Sequence, residues 1–545
     1  MPIRLTNIHL PLDHVDGAPE KAAVRWLGAR RGEVRSVRIR RRSVDARKGR
    51  TMALVYQVDV EVRGKEEALL GRGLRVRRDR KITAQLVPAG PPALPDPGRE
   101  ALRGPVAVVG AGPCGVFAAH RLAGQGYRPV ILEQGKPTED RMKDLRAFRL
   151  FGTLDLESNI LFGEGGAGMF SDGKLTTRNR SPFIDEVLRT FHEAGAPESI
   201  RIEARPHIGS NFLPKVLRRL RERMTAMGVE YRFQTRVTGF EVEGGVLRAL
   251  RIIEAGGREA RLEAGAVILG TGGSAREIFE ALLEAGVKLE ARPMLVGVRV
   301  EHPQALIDAN QYGGAAGHAR LGSAEYFLTM AASRAAGLMR PVHSFCMCPG
   351  GEVIAVASEA GGVTANGMSN YSRASGFANS ALIAPVEVEE YGGSGPLRGV
   401  AFQRVLEQAV FRAGGGDYSL PAQGLVDFHA GRSSRELPPG PRPTRKCMAE
   451  VHALLPEGIA DAIRQSLGVA DQRIPGFLTP EATVYGLEVR TGSPVRIVRG
   501  DTGESVNTKN LYPAGEGAGY AGGIMSSAIE GMEQADRVIR RFSRL

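Results

Sequence analysis

Cysteine, tryptophan and long apolar runs are scarce in this chain of 545 residues. The four cysteines, Cys114, Cys346, Cys348 and Cys447, are too few for the disulfide framework of a small secreted domain. The longest apolar stretch, residues 105–119, is glycine-rich and too short to cross a bilayer. The N-terminus also lacks the pattern of a secretory signal. We therefore expect a cytoplasmic protein without a membrane span.

Positive charge is concentrated in the first hundred residues. The net charge is +13, and residues 1–100 contain 22 Lys and Arg against 12 Asp and Glu. Two basic clusters stand out: Arg38, Arg40, Arg41 and Arg42, and Arg75, Arg77, Arg78, Arg80 and Lys81. They indicate either an acidic partner such as nucleic acid or a solvated arginine-rich face. We favour the solvated face, so nucleic acid is not the expected partner.

The same region is predicted to fold by itself. Residues 3–10, 34–44 and 52–62 have the composition of strands, and the third alternates apolar and polar positions. A helix is predicted from Ala18 to Leu27. The proline-rich residues 87–98 are typical of a linker. Residues 1–98 are therefore predicted to be a small, basic α+β domain.

Glycine is abundant, with 70 residues, and many lie in short loops of the kind that approach a ligand. The clearest loop, residues 110–115, follows an apolar strand at 105–109 and precedes a predicted helix from Val116 to Gly124. This strand, loop and helix predict a Rossmann-type dinucleotide site. Gly110 permits the tight turn, Gly112 admits the pyrophosphate and Gly115 allows close helix packing. Glu133, at the end of the next strand, is expected to accept hydrogen bonds from the ribose hydroxyls.

Two distant segments indicate that the dinucleotide is FAD. Residues 510–524 again predict a strand, a glycine turn and a helix, which continues to about Arg541. In glutathione-reductase-type flavoproteins such a late segment returns to the first unit; here its cofactor residues would be Gly515, Glu516, Gly522, Gly523 and Ile524. Glu516 would bind the ribitol, and the helix start would face the flavin. Residues 266–273, with Gly270, Thr271 and Gly272, match the segment by which such chains leave the FAD domain.

Several long motifs show a resemblance to a known family. They are Arg42–Lys48, Phe162–Leu175, Ser344–Gly351, Asn366–Arg373 and Gly515–Tyr520. They resemble the largely uncharacterised bacterial FAD-dependent dehydrogenases, NAD(P)/FAD-dependent oxidoreductases with a small N-terminal domain and an FAD-dependent C-terminal domain. The resemblance covers essentially the whole chain. It implies an α/β fold, namely a glutathione-reductase-type FAD-binding Rossmann domain with an inserted α+β substrate domain.

The resemblance also implies cofactor contacts outside the Rossmann motifs. It places residues 163–174 beside FAD, where Gly165, Gly166 and Ser171 would donate hydrogen bonds and Lys174 would offset phosphate charge. A plain surface loop is the alternative. Val237 resembles the position where similar flavoproteins hold adenine, although a buried strand valine explains it equally well.

We expect four segments: the N-terminal domain (1–98), the first part of the FAD domain (99–275), the substrate domain (276–475) and the C-terminal return of the FAD domain (476–545). The catalytic candidates in the substrate domain are His343, Cys346, Cys348 and Arg373.

Each candidate has two interpretations. Arg373 would grip a substrate anion or form a structural ion pair. His343 would act as an acid or base, or simply be hydrogen-bonded. Cys346 and Cys348 share a strand face, so they would line a pocket, exchange electrons with the flavin or only pack. With His343 they make an incomplete zinc set, so no metal is expected. The adjacent Arg299, Glu301 and His302 are expected to brace the domain.

The predicted function is an FAD-dependent oxidoreductase acting on a small organic substrate, which we expect to be anionic. No second glycine-rich unit is present for a separate NAD(P)H domain, so electrons would come from the substrate, transient NAD(P)H or a protein partner. A flavin monooxygenase is one alternative, although residues 269–273 lack the Asp usual in those enzymes. An RNA- or protein-binding flavoprotein that uses the basic N-terminal domain is the other.

Overall fold

The chain begins with a four-stranded antiparallel sheet. The computed structural model describes residues 1–30, 32–64, 66–76, 81–88, 90, 92–333, 339–441 and 445–544. The strands of this first sheet are β1 (Ile3–Pro11), β2 (Val34–Asp45), β3 (Ala53–Val62) and β4 (Thr83–Leu86), in the order β2-β3-β1-β4. Helices α1 (Ala18–Leu27) and α2 (Glu66–Val76) complete a βαββαβ unit. The three expected strands and the first helix are present. The short β4 and the glycine-interrupted α2 gave no clear sequence signal.

The first basic cluster contacts the rest of the chain. Arg40 pairs with Asp185, and Arg42 pairs with Glu203. The backbone of Arg42 also donates to Ile202 O at 2.5 Å and accepts from Ala204 N at 2.7 Å. These contacts hold the N-terminal unit against residues 202–204. In the second cluster, residues 77, 78 and 80 and the side chain of residue 75 lie outside the described part of the structure.

A five-stranded parallel sheet carries the glycine loops. Its order is β23-β11-β5-β6-β7, with β5 (Val106–Val109) at the centre, and its other strands are β6 (Val130–Leu132), β7 (Glu230–Arg232), β11 (Ala266–Leu269) and β23 (Leu511–Pro513). Every residue of β5, β6, β11 and β23 is buried, as expected for a sheet covered on both faces. The late strand β23 thus pairs beside β11, and its carboxyl end meets those of β5 and β11 at one edge.

Two helices cross against each other beside this sheet. Helix α3 (Pro113–Gly124) begins three residues earlier than predicted, because proline fits the first turn of a helix. Helix α12 (Ile524–Arg541) packs on it so closely that a β carbon on Gly531 would lie 2.0 Å from Cys114 O. The C-terminal segment therefore completes the half of the molecule that contains the parallel sheet and its glycine loops.

Three smaller groups of strands flank the main sheets. Strands β8 (Arg236–Glu243), β9 (Val246–Glu254) and β10 (Arg258–Glu263) form an antiparallel sheet. Two further pairs are β12 (Leu289–Ala291) with β22 (Val495–Ile497), and β16 (Glu352–Val356) with β17 (Thr364–Met368).

A seven-stranded mixed sheet forms the other large layer, in the order β14-β15-β18-β13-β21-β19-β20. Its strands are β13 (Met294–Pro303), β14 (Thr329–Met330), β15 (Val342–Cys348), β18 (Phe377–Val386), β19 (Leu420–Gly424), β20 (Lys446–Met448) and β21 (Thr483–Glu488). Because β21 pairs with β13, this sheet extends past residue 475, where we expected the substrate domain to end.

The remaining helices cover these layers. They are α4 (Thr138–Phe151), α5 (Ile184–Glu193), α6 (Leu213–Ala226), α7 (Arg276–Glu284), α8 (Gln304–Tyr312), α9 (Arg398–Ala413), α10 (Leu425–Ala430) and α11 (Glu457–Arg473). Among the described helices, none combines the length and apolarity that crossing a membrane requires.

Candidate functional site

Some glycines of the site are needed for packing. A β carbon on Gly115 would lie 1.9 Å from Gly110 O, so only glycine lets α3 start directly over the turn. Gly110 itself has φ +101°, and its β carbon would lie 2.9 Å from Gly270 O. These contacts join the turns after β5 and β11. Cys114 fills the remaining space as a buried small residue, 3.1 Å from the β-carbon position of Gly515.

Other glycines at the same sheet edge border open space. A β carbon on Gly112, Gly272, Gly522 or Gly523 would meet no atom within 4 Å. Helices α3 and α12 both begin here, and no side chain caps either of them. Their first N–H groups are therefore free to bind an anion, and the helix dipoles favour negative charge. An open glycine edge with two uncapped helix starts fits a dinucleotide.

Glu133 lies where the ribose ligand was predicted. It is buried, and its Oε2 accepts from Ala111 N at 2.8 Å. Its Oε1 accepts from Gly135 N at 3.0 Å and from Gly163 N at 2.9 Å. Since a carboxylate has about four acceptor positions, these three amides orient the group and leave capacity for a ribose hydroxyl.

Glu516 occupies the turn between β23 and α12. Burial raises the pKa of its carboxyl, and a hydrogen bond from Gly273 N–H opposes the rise only in part. Its Oε1 lies 3.2 Å from the β-carbon position of Gly273. No cation is among the groups that shift this pKa. A half-buried carboxylate with unused acceptor capacity suits a polyhydroxyl chain such as ribitol.

The glycine-rich segment 163–174 lies directly on the phosphate loop. Gly165 N donates to Ala111 O at 2.9 Å, and the β-carbon position of Gly166 is 3.4 Å from Gly112 Cα. This position is consistent with the cofactor contact that the resemblance implied. The Ser171 hydroxyl, in contrast, donates to Gly168 O within the segment at 2.8 Å.

Arg141 on α4 holds this segment in place, a role that the sequence did not reveal. Its buried guanidinium donates to four carbonyl oxygens, those of Asn159, Ile160, Glu164 and Gly166, at 2.7–3.0 Å. Burial lowers its pKa to about 10, although Glu133 and Glu164 act in the other direction.

Val237 borders a cavity of about 460 Å³, within the range of ligand sites. Gln134, Phe162, Ser274 and Arg276 also line it, and Gln134 directly follows Glu133 in the chain. Val237 is itself buried and packs with strands of the five-stranded parallel sheet. Its position therefore suits both an adenine contact and a core residue.

A buried ion network borders this cavity through Arg276. Glu407 on α9 pairs with Arg276 at 2.9 Å and with Arg490 at 2.8 Å. Desolvation alone would raise the pKa of Glu407, but the two guanidinium groups outweigh it and lower the pKa to about 2. Arg276 also pairs with Glu359, which lines the cavity.

Arg373 forms two ion pairs. It pairs with Asp172 and, at 2.9 Å, with Glu325 Oε1. Asp172 also lies 2.7 Å from Lys174 Nζ, so a single buried carboxylate joins both cations. The two cations hold the pKa of Asp172 far below its usual value despite burial. The guanidinium of Arg373 is thus engaged on both sides, as in the ion-pair interpretation of this residue.

Cys346 and Cys348 lie beside these cations at an irregular point of β15. Pairing with β18 shifts register between Phe345 and Cys348, and Cys346 has φ +46°. For a residue other than glycine this backbone costs of order 1–3 kcal/mol. Arg299 on β13 stabilises the distortion, since its Nη2 donates to Cys346 O at 2.6 Å. Arg299 is fully buried and is balanced by Glu488 at 2.5 Å.

The electrostatic effects on the two thiols differ. Hydrogen bonding from Cys348 lowers the pKa of Cys346; burial opposes this, and Lys174 and Arg299 lower it further. The pKa of Cys348 is raised by the same hydrogen bond and by burial. Cys348 is fully buried, whereas Cys346 is half-buried. The pair therefore consists of a half-buried residue whose thiol pKa is lowered and a fully buried partner whose thiol pKa is raised.

His343 lies apart from this group. It pairs through the backbone with Thr329 and Ile383, and no hydrogen bond or ion pair among the described residues connects its side chain to the cysteines or Arg373. In the described part of the chain, no cluster of three or more His, Cys, Asp or Glu side chains is arranged for a metal ion.

Comparisons with known proteins identify the family. Family models match a domain of unknown function at residues 2–61, an FAD-binding domain at 103–276 and the C-terminal domain of FAD-dependent proteins at 293–491. A Clostridium beijerinckii protein described as uncharacterised is 38% identical over 544 residues, covering 99% of each chain. The chain belongs to this family of FAD-dependent proteins. It is an FAD-dependent oxidoreductase of mixed α/β fold, which confirms the predicted cofactor and enzyme class.

Solved structures with distant similarity include FAD-dependent enzymes. The glycerol-3-phosphate dehydrogenase of Bacillus halodurans, complexed with FAD, is 10% identical with a TM-score of 0.36, covering 80% of this chain and 65% of that one. Glycine oxidase of Bacillus cereus is 12% identical with a TM-score of 0.30, covering 80% and 95%. Such distant similarity does not indicate which substrate this FAD-dependent protein uses.

Proposed function

We propose that this oxidoreductase holds FAD in a glutathione-reductase-type arrangement along the open glycine edge of the five-stranded sheet. Gly110, Gly112 and Gly115 would surround the pyrophosphate with Gly165 and Gly166, and Glu133 would bind the ribose. The exit turn (Gly270, Thr271, Gly272) and the return turn (Gly515, Glu516, Gly522, Gly523, Ile524) would bind ribitol and flavin. Ser171, Lys174 and Val237 complete the proposed contacts.

The main support is the contrast between two sets of glycines. Gly110 and Gly115 are required by packing. Gly112, Gly272 and Gly522 are not, since their β carbons would meet nothing within 4 Å and their backbones lie outside the left-handed region. Three glycines that the fold itself does not need, beside two uncapped helix starts, are explained by a bound pyrophosphate and flavin.

Bound FAD would supply the hydride or electron transfer. The chain would bind and orient a small organic substrate at the junction of the 163–174 segment with β15, close to Lys174 and Cys346. Because Arg373 is already paired with Asp172 and Glu325, an anionic substrate would have to displace one of these carboxylates. We therefore propose a small substrate without assigning its charge, and NAD(P)H or a protein as the second redox partner.

The proposed domains follow the expected order, with one adjustment. The N-terminal unit would be residues 1–98 and the first FAD segment residues 99–275. The substrate domain would extend past residue 475 to include β21, since Thr483–Glu488 belongs to the seven-stranded sheet, and the FAD return would begin after this strand.

The test is the Gly112→Ala variant. Its backbone, φ −76° and ψ 179°, accepts alanine without strain, so the apoprotein should unfold at the wild-type temperature. The new methyl group would occupy the proposed pyrophosphate position, and FAD affinity should fall at least tenfold in a fluorescence titration. Gly314→Ala, at an exposed position that also has nothing within 4 Å, is the matched control and should bind FAD normally. Wild-type affinity in Gly112→Ala would refute this site.

A further inference from the structure

We propose that Cys346 and Cys348 form a redox-active dithiol that reacts with small-molecule disulfides, which makes a thiol–disulfide couple part of this site. The proposal rests on the proposed function for the position of the pair beside the cofactor segment. The chemistry itself depends only on residues of β13, β15, β21 and the 163–174 segment.

The first argument is the local geometry. In a regular strand, residues i and i+2 are about 6.6 Å apart, near the upper limit for a disulfide. Here the strand is irregular: Cys346 is in the left-handed region, and the Cys348 thiol reaches back to donate to Cys346 O at 3.3 Å. Both cysteines are free thiols in this conformation. The backbone thus brings the Cys348 sulfur toward the Cys346 residue instead of leaving the two side chains parallel.

The second argument is the group of charges around the pair. Lys174 and Arg299 stabilise negative charge at both sulfurs, and Arg299 Nη2 lies 3.6 Å from Cys348 Sγ. Glu488 balances Arg299, and Asp172 balances Lys174, so the positive charge is held in place without an external anion. A thiolate close to fixed cations is the form that attacks disulfides.

The third argument is the division of access between the two thiols. Cys346 is half-buried, whereas Cys348 is fully buried, so of the two residues only Cys346 reaches the protein surface. This division assigns Cys346 as the attacking thiol and Cys348 as the resolving thiol.

The reaction balances in two exchange steps. The Cys346 thiolate attacks one sulfur of the small disulfide; a new S–S bond forms, the reagent's S–S bond breaks and one thiolate leaves. The Cys348 sulfur then attacks the Cys346 sulfur; the intramolecular S–S bond forms, the mixed disulfide breaks, and the Cys348 proton passes to the departing sulfur, which leaves as the second thiol. The protein loses two electrons, and the reagent is reduced to two thiols.

The experiment treats the FAD-loaded full-length protein with glutathione disulfide, alkylates the remaining thiols and analyses peptides by mass spectrometry. We expect a peptide with Cys346 bonded to Cys348 and no retained glutathione. Cys348→Ser should stop at a glutathione adduct on Cys346, and Cys346→Ser should leave Cys348 unreacted. Cys447→Ser, which removes a half-buried thiol whose pKa is raised by burial, is the matched control and should behave as wild type.

A second measurement separates this proposal from the proposed function. Dithionite titration of oxidised wild type should consume about four electrons per FAD, against about two for Cys346→Ser, because the disulfide is a two-electron couple. A glutathione adduct that persists on wild-type Cys346, or free thiols throughout, would overturn the dithiol while leaving the FAD site intact. A chain that binds no flavin but closes the disulfide would instead refute the proposed function alone.

Discussion

Glu516 accepts a hydrogen bond from the backbone N–H of Gly273. This bond connects the return turn, which follows β23, to the exit turn, which follows β11. No cation is among the groups that shift the pKa of the Glu516 carboxyl. Burial disfavours the charged form of this group in the free protein. A ligand that offers hydroxyl groups would compensate for that cost, and the same carboxylate should therefore weaken the apoprotein and strengthen cofactor binding.

Glu516→Gln should separate these two effects. Because the pKa of Glu516 is raised by burial, ionisation opposes folding as pH rises through the shifted pKa, and the neutral amide should raise the apoprotein melting temperature at neutral pH. FAD affinity should fall about ten- to a hundredfold, the effect of losing a hydrogen bond to a charged group, about 1.5–3 kcal/mol. Differential scanning fluorimetry and flavin titration measure the two quantities. Glu533→Gln is the control, because burial also raises the pKa of the Glu533 carboxyl. It should raise the melting temperature by a similar amount and leave the FAD affinity unchanged. Equal FAD affinity in the two variants would contradict the ribitol role of Glu516.

The Glu407 network predicts acid sensitivity. The folded pKa is about 2 against an ordinary 4.5, so its stabilisation is complete above pH 4.5 and is lost as pH falls toward 2. At about 1.4 kcal/mol per pH unit, the network accounts for about 3 kcal/mol. In urea unfolding, the free energy of unfolding of the wild type should therefore decrease as pH falls from 4.5 toward 2, and this decrease should be absent in Glu407→Gln. At neutral pH the variant should be less stable than the wild type by about 3–5 kcal/mol. Glu277→Gln, in an exposed pair with Arg236, should change stability by less than about 1 kcal/mol.

Two helix glycines should respond oppositely to alanine. Gly531→Ala would place a methyl group 2.0 Å from Cys114 O, so α12 must move away from α3 and the free energy of unfolding should fall by several kcal/mol. Gly468→Ala on α11 meets nothing within 4 Å and should stabilise the protein by about 0.5–1 kcal/mol. Chemical unfolding measures the free energy of unfolding of both variants. Equal values for Gly531→Ala and Gly468→Ala would contradict the close packing of α12 on α3.

Lys174 and Asp172 should tune the reactivity of Cys346 in opposite directions. Lys174 contributes to lowering the thiol pKa, after hydrogen bonding from Cys348, so Lys174→Met should slow alkylation of Cys346 several-fold at neutral pH. Asp172→Asn removes the charge that balances Lys174 and should accelerate alkylation. Lys136→Met, which breaks an ion pair with Asp144 and Asp155 elsewhere, should leave the rate unchanged. Iodoacetamide kinetics read out by mass spectrometry would decide, and equal rates in all variants would exclude electrostatic tuning.

The parts of the fold that could be predicted are those with local signals. Val106–Val109 and Leu511–Pro513 are wholly apolar strands followed by glycine turns, so each could be recognised within a short window. The seven-stranded sheet could not, because Met294–Pro303 is buried along nearly its whole length and shows no alternation. Its pairing with Thr483–Glu488 also joins residues far apart in sequence.

The site was predictable to a similar degree. The glycines of the phosphate loop and Glu133 could be proposed from the sequence because the Rossmann motif requires a specific residue type at each of these positions. The partners of Arg373 do not, because Asp172 is 201 residues away and either an ion pair or a ligand contact gives the same sequence pattern. Arg141 lies in a helix rich in charged residues, where nothing distinguishes a buried arginine from a solvated one.

The position of β23 and α12 in the sequence has a consequence for biosynthesis. The central strand β5 and its glycine turn emerge from the ribosome early, but their neighbours Leu511–Pro513 and Ile524–Arg541 emerge only after the entire seven-stranded sheet has been translated. The parallel sheet therefore lacks its edge strand β23 and its covering helix α12 while most of the chain is being synthesised, so its apolar surface stays partly exposed during that time. In the proposed FAD arrangement, the cofactor site would be complete only after the return turn has been synthesised, so cellular flavin supply would act on finished chains rather than on growing ones.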